Sequence, residues 1–348
     1  MNGRERRRER NGGSDGVSLA DALAHHRAGR LAQAETRYRR ILEAQPDNPD
    51  ALHLLGLVLF QTNRPGRAVP LIREAIARNA RVAGYHANLG RVYAGMGRHG
   101  RVSGGDSARP RHGGGARQPR RGPGGARPDG AAETAYRGAL RLTPDDPDLL
   151  FNLANAVWAA RRFEDAIDLY RRVVARAPDH IGAWINLGQV LAAAEDHEAA
   201  LRVHDEALAI RPDDVELNVN RGVALMRLRR LDEAVEALRK AVAMAPHYDR
   251  AHYSLGLACK HRFGFEEAQR RFERALALEP DNALAMIELG GCLQRRNRVE
   301  DAYGLYGRAY RTDRTTFNGI VKMMTALPHG RFSADYARVR TMLQTAGL

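Results

Sequence analysis

Asn152, Asn186 and Asn220 stand 34 residues apart, and Asn88 precedes them in the same register once a short gap is allowed for. Ser254 and Glu288 continue the line with other polar groups. A carboxamide both donates and accepts hydrogen bonds, so a row of them can hold the backbone of an extended peptide whatever its side chains. One helical turn to either side lie Asn155, Gln189, Trp158 and Tyr253. Large aromatic side chains are where binding energy concentrates, and Trp158 is the most ligand-like of the four. A competing reading gives each Asn a place in a packing consensus, bonded to water or a neighbouring helix, and buries Trp158 in its own helix. Either way the chemistry on offer is recognition. The sequence holds no GxxxxGK[ST], no GxSxG and no GxGxxG after a strand, so no phosphate cradle or nucleophile elbow is expected. Its 13 His are scattered with no HExxH or Cys/His cluster, and Cys259 and Cys292 have no metal or redox spacing. No cofactor, metal or catalytic residue is expected.

What must position these residues is a repeat. From Pro144 the prolines Pro178, Pro212, Pro246 and Pro280 follow at intervals of 34. Ala34 and Ala68 keep that step, as do Ala132, Ala166, Ala200, Ala234, Ala268 and Ala302. So does a small residue at Gly56 and Gly90, then Ala154, Gly188, Gly222, Gly256 and Gly290. Self-similarity at this period means a solenoid. In the unit from Pro178 to Asp214, Trp184, Leu187 and Leu191 make one face of a first helix. A turn near Glu195–His197 reverses the chain. A second helix carries Ala200, Leu201, Ala207 and Leu208 inward, with His204 in place of an aromatic. Pro212 ends the unit, and Asp213 and Asp214 can cap the next helix. Such a hairpin buries its apolar face only by stacking on neighbours.

The pattern resembles the tetratricopeptide repeat: "WINLG" at Trp184–Gly188, "YHANLG" at Tyr85–Gly90 and "YSLGLA" at Tyr253–Ala258, then Ala, aromatic, Ala and Pro at fixed places. It covers about residues 17–98 and 131–316, with Ala80, Arg221 and Arg314 departing from it. The resemblance implies an all-α, right-handed superhelical α-solenoid of stacked 34-residue helix-turn-helix units, interrupted at about 100–130. The amide row is similar to the asparagine ladder in the repeat arm of O-linked N-acetylglucosamine transferases.

The interruption is a Gly/Arg/Pro tract whose only large aliphatic residue is Val102. Gly90 to Ala154 is 64 residues, two periods less four, so the tract stands where two helices belong. A GC-rich back-translation of residues 101–130, shifted by one base, admits a helical reading with "ANLG" in place. A segment translated out of frame, a natural disordered insertion and an RGG-like nucleic-acid arm all remain open. The expected division is a basic tail over 1–16, a repeat block over 17–98 whose third unit is incomplete, and the tract over 99–130. A second repeat block follows over 131–315, beginning with a lone second helix, and a helical cap over 316–348. The helices flanking the tract should expose their apolar stripes, and proteolysis should cut first between Arg101 and Arg127.

The net charge of +14 is uneven: residues 1–13 carry +3 and residues 101–130 carry +5. A basic face on the folded part is therefore not expected, and nucleic acid is an unlikely partner. No apolar run is long enough to span a bilayer and the N-terminus lacks a secretory signal, so no membrane insertion and a cytoplasmic setting are expected. The expected function is a non-catalytic scaffold or adaptor that binds a protein or peptide in a concave groove. A regulatory or recruiting arm for a glycosyltransferase or sulfotransferase is the alternative, and nucleic-acid binding through the basic segments a third.

Overall fold

The computed structural model describes residues 18–102, 128–325 and 336–345. Among them every regular element is helical. The chain forms two compact units, Met1–Ala177 and Pro178–Leu348. The boundary falls between two repeats, after the helix that ends at Arg176.

The first unit contains α1 (Leu19–Arg27), α2 (Leu31–Ala44), α3 (Pro49–Gln61), α4 (Pro65–Arg78), α5 (Ala83–Val102), α6 (Pro128–Leu140), α7 (Pro147–Ala159) and α8 (Phe163–Arg176). The second contains α9 (Ile181–Ala193), α10 (His197–Ile210), α11 (Val215–Arg227), α12 (Leu231–Met244), α13 (Asp249–His261), α14 (Phe265–Leu278), α15 (Ala283–Arg295) and α16 (Val299–Thr312). A short 3-10 turn (Arg314–Thr316), α17 (Phe317–Thr325) and α18 (Tyr336–Thr345) complete it. Odd-numbered helices up to α15 are first helices of hairpins and even-numbered ones are second helices.

Local chemistry explains the punctuation. Asn48, Asp146, Asp214 and Asn282 precede first helices, and each side chain accepts from the backbone N–H three residues on. Pro49 and Pro147 follow two of these caps, at a position that needs no N–H. All first helices but α5 end in one shared motif. In α3 the Asn63 N–H donates to the Phe60 carbonyl and the Arg64 N–H to the Leu59 carbonyl, with Asn63 at φ 59°. This pair of bonds around a left-handed residue is a Schellman cap. Arg161, Glu195, Arg229, Phe263 and Asn297 repeat it, and Gly29 is the one glycine among them.

Six of the hairpins, α3–α4, α5–α6, α9–α10, α11–α12, α13–α14 and α15–α16, close where a glycine of the first helix lies under a large side chain of the second. A Cβ on Gly256 would come within 2.6 Å of the Phe272 ring. His204 covers Gly188 in the same way and is only 2% exposed. Burial holds its imidazole at about 4, so it packs as a neutral ring. The expectation that His204 packs inside its hairpin holds.

At the tract the structure departs from the sequence reading. Helix α5 runs on to Val102 and α6 begins at Pro128, so helix enters the segment from both sides. Helices α5 and α6 pack against each other. A Cβ on Gly90 would meet the Tyr136 ring at 2.6 Å, the same contact as Gly256 makes with Phe272. Tyr85, Leu89 and Val92 of α5 and Ala132, Tyr136 and Ala139 of α6 are buried. Their apolar stripes are thus covered, where the sequence predicts exposure, because α6 serves as the second helix for α5. The reason is geometric. Burying Tyr136 alone is worth about 2–3 kcal/mol, and each helix offers the face the other needs. Helix α5 also packs on α3 and α7, so this composite hairpin stacks like its neighbours in the first unit. The tract's remaining residues, 103–127, and the cleavage sites expected there lie outside the described residues, as does the basic tail.

At the far end, α18 packs on α16 and α17 on α15. Phe317, Ile320, Met324, Val339 and Leu343 join the core of Tyr306 and Tyr310.

Candidate functional site

The candidate amides lie on first helices, where repeat register and capping place them. Asn88 is on α5, Asn152, Asn155 and Trp158 on α7, Asn186 and Gln189 on α9, Asn220 on α11 and Tyr253 on α13. All are half-buried except Asn220, which is 5% exposed.

In the first unit most of these groups are already engaged. The Asn88 amide Nδ2 lies 2.7 Å from His53 Nε2 on α3. Burial pushes His53 down to about 4, so its neutral ring can accept that amide proton. The same ring packs at 4.6 Å on Tyr85, whose hydroxyl donates to Asp50. Asp50, His53, Tyr85 and Asn88 thereby form one polar bridge between α3 and α5. Asn152 donates to its own helix, 2.8 Å from the Asp148 carbonyl. The Asn155 Oδ1 accepts from the Tyr170 hydroxyl at 2.6 Å. Trp158 meets the same Tyr170 edge-on at 6.4 Å.

The second unit is arranged differently. Arg250 Nη2 on α13 donates to the Asn220 Oδ1 at 2.6 Å, and its Nη1 lies 3.2 Å from Glu216 of α11. That leaves the Asn220 Nδ2 buried with no partner among the described residues. Farther along, Lys260 of α13 pairs with Glu288 of α15. Tyr253 packs at 5.9 Å on Phe272, and burial raises its hydroxyl above the usual phenol value. Asn186 and Gln189 lie one turn apart on α9.

The expected residues therefore share helix faces within each unit, but several act as braces between helices. Reasoning from sequence missed the bracing partners His53, Glu216, Arg250 and Lys260. A signal was present for one pair: Glu216 and Arg250 are opposite charges 34 residues apart, at one place of successive first helices. Among the described residues no group of three or more His, Cys, Asp or Glu could hold a metal ion, and no helix is long and apolar enough to cross a membrane. An open cleft of about 770 Å³ is lined by residues of α6, α7 and α8, and none of the candidate amides lines it. Its Arg162 is tied to Glu133 and Asp165. Cys259 and Cys292 are buried free thiols, both pushed up to about 11 by burial.

The comparisons with known proteins agree with this architecture. No curated protein sequence matches the chain. In fold it is similar to a tetratricopeptide repeat protein from Parabacteroides merdae ATCC 43184, at TM-score 0.59 and 14% identity, covering 79% of this chain and 98% of that one. It is also similar to yeast Tom70, at TM-score 0.53 and 13% identity over 89% of this chain and 59% of that one. A weaker likeness, at TM-score 0.41 and 20% identity over 52% of this chain and 94% of the other, is to YrrB, described as a TPR protein with an unusual peptide-binding site. Models of the tetratricopeptide repeat match residues 19–83, 53–101, 127–181, 151–215 and 264–315, and a further one matches 187–254. With the repeated hairpins, shared caps and small-under-large contacts, these matches place the chain in the tetratricopeptide repeat family.

Proposed function

We propose that the chain is a non-catalytic scaffold that holds an extended peptide or protein segment along its first helices. The observation that supports this most is Asn220: its Oδ1 is fixed by Arg250 while its Nδ2, aimed by that bond, has no acceptor. A buried amide donor without a partner costs about 1–3 kcal/mol, which a peptide carbonyl would relieve. Asn186 and Gln189, half-buried on α9, supply further amides on the same unit. Asn88, Asn152 and Asn155 each hold one end of the amide in a bond to His53, Asp148 or Tyr170. Trp158 and Tyr253 offer aromatic contact. In this reading 17–98 and 131–315 carry the repeats, and the segment from 316 covers the last hairpin.

Peptides selected from a random display library against the purified chain test this. Asn186→Ala and Asn220→Ala together should weaken the selected peptides about tenfold or more, and unchanged affinity would overturn the assignment. The likeness of the amide row to the arm of O-linked N-acetylglucosamine transferases gives the second reading, a recruiting arm for a glycosyltransferase or sulfotransferase. It uses the same residues, and a co-purifying enzyme would distinguish it.

A further inference from the structure

Contrary to the expectation of no basic face on the folded part, positive charge gathers at three successive hairpin turns of the second unit. Arg227, Arg229 and Arg230 surround the α11–α12 turn. Lys260, His261 and Arg262 surround α13–α14, and Arg295, Arg296 and Arg298 surround α15–α16. Carboxylates answer some of these. Arg230 pairs with Glu233 at 2.6 Å, Arg262 with Asp232 at 2.8 Å, Arg296 with Glu266 at 3.8 Å and Arg298 with Asp301 at 2.7 Å. Lys260 pairs with Glu288. Among the described residues none lies within ion-pair distance of Arg227, Arg229, His261 or Arg295.

Arg227, His261 and Arg295 are the last residues of α11, α13 and α15, spaced 34 apart and all exposed. Partial burial, with the cations Lys260, Arg229 and Arg227, holds His261 below the usual histidine value, so these groups feel one another. A cation at a helix C-terminus gains from the helix dipole. That gain alone does not explain the series, since α9 in the same unit ends in Ala193.

An aromatic sits inside this row. Phe263 is 80% exposed and takes the left-handed cap position at φ 65°, while the adjacent Gly264 keeps an ordinary φ of −82°. A bulky residue in that conformation is an outlier, and here the glycine that could have taken it stands one place late. The Phe263 ring meets Phe265 edge-on at 6.3 Å, and the Arg295 guanidinium lies 4.7 Å over Phe265. One aromatic-cationic surface thus joins the second turn to the third.

We propose that this edge docks an acidic protein segment in polyproline II conformation, with carboxylates opposite Arg227, Arg229 and Arg295 and an apolar contact on Phe263. The period decides the conformation. First helices α11 and α13 are in contact, which sets such axes about 8–10 Å apart. Polyproline II repeats every three residues at about 3.1 Å each, returning a side chain to one face about every 9 Å. In a β-strand every third residue alternates faces. Single-stranded nucleic acid fits less well, because its bases stack on successive aromatics and only Phe263 projects here.

Fluorescence anisotropy with the full chain and a labelled (Glu-Pro-Pro)n peptide tests the proposal. Binding should fall with salt and exceed that of (Lys-Pro-Pro)n and of a sequence-scrambled glutamate peptide. Arg227→Gln/Arg229→Gln/Arg295→Gln should weaken it about tenfold or more, and Phe263→Asn by a smaller factor, with the helical circular dichroism of both variants unchanged. Asn186→Ala/Asn220→Ala should leave it unaltered, which separates this edge from the amide face. No binding, equal binding by the triple arginine variant, or tighter binding of oligo-dT or phosphatidylserine vesicles would overturn it.

Discussion

In the hairpin α13–α14, residues 262–264 join the two helices and Gly256 lies under Phe272. In α5–α6, residues 103–127 lie between the helices, and Gly90 lies under Tyr136 with the same 2.6 Å clearance. One contact thus survives a large change in the connection. The partner of a repeat helix is chosen by the shape of its buried face, and the chain between the two sets only the entropy of bringing them together.

Four experiments can break or refine that equivalence. The largest effect is expected from Tyr136→Ala and Phe272→Ala. Each should cost about 3–5 kcal/mol in urea unfolding, the range for deleting a buried ring. A cost under about 1 kcal/mol for Tyr136→Ala alone would mean that α5–α6 is not closed as α13–α14 is.

A second test uses α9–α10, where His204 holds the place of those rings. Its folded value of about 4 lies below the ordinary 6.5, so the unfolded chain takes up the proton first. Stability should be full above about pH 6.5 and fall by roughly 3 kcal/mol as pH drops to 4. His53 adds a similar loss in the first unit. His204→Phe should remove its own share, and an unchanged pH profile in that variant would show that His204 is not the buried neutral ring described.

The third test concerns the connection. Gly97 and Arg98 stand where Asn63 and Arg64 or Arg229 and Arg230 make the Schellman turn. Deleting residues 99–128 joins Arg98 to Asp129 and brings Ala132 to 34 residues after Ala68. The shortened chain should keep its helical signal and gain about 1–2 kcal/mol from the smaller loop. Loss of cooperative unfolding would show that the composite hairpin depends on the removed residues. The smallest effect is Phe263→Asn, which should raise stability by about 1 kcal/mol, because asparagine tolerates the left-handed cap better. A drop in melting temperature would show that the Phe263–Phe265 contact outweighs the strain.

The repeat itself was legible in the sequence, because Pro, Ala and Gly at a fixed step fix the caps and the close contacts. The pairing across the tract was not. Sixty-four residues from Gly90 to Ala154 can be two periods less four or one period and thirty, and only the Gly90–Tyr136 contact chooses the second. The amide positions were legible for the same reason as the repeat. Their partners were less so: Arg250 lies 30 residues beyond Asn220, and His53 lies 35 before Asn88. Such contacts run between neighbouring first helices, where one-residue differences in reach decide who bonds to whom. At Phe263 the left-handed cap falls one place before Gly264, the residue type that best tolerates it.

The contact of Gly90 with Tyr136 also bears on how arrays of this kind change length. If a first helix accepts the second helix of the following repeat, the smallest heritable module is half a repeat. A lineage could then lose one second helix and the next first helix in a single event and keep a continuous stack, with the scar carried in a hairpin bend where selection on packing is weakest.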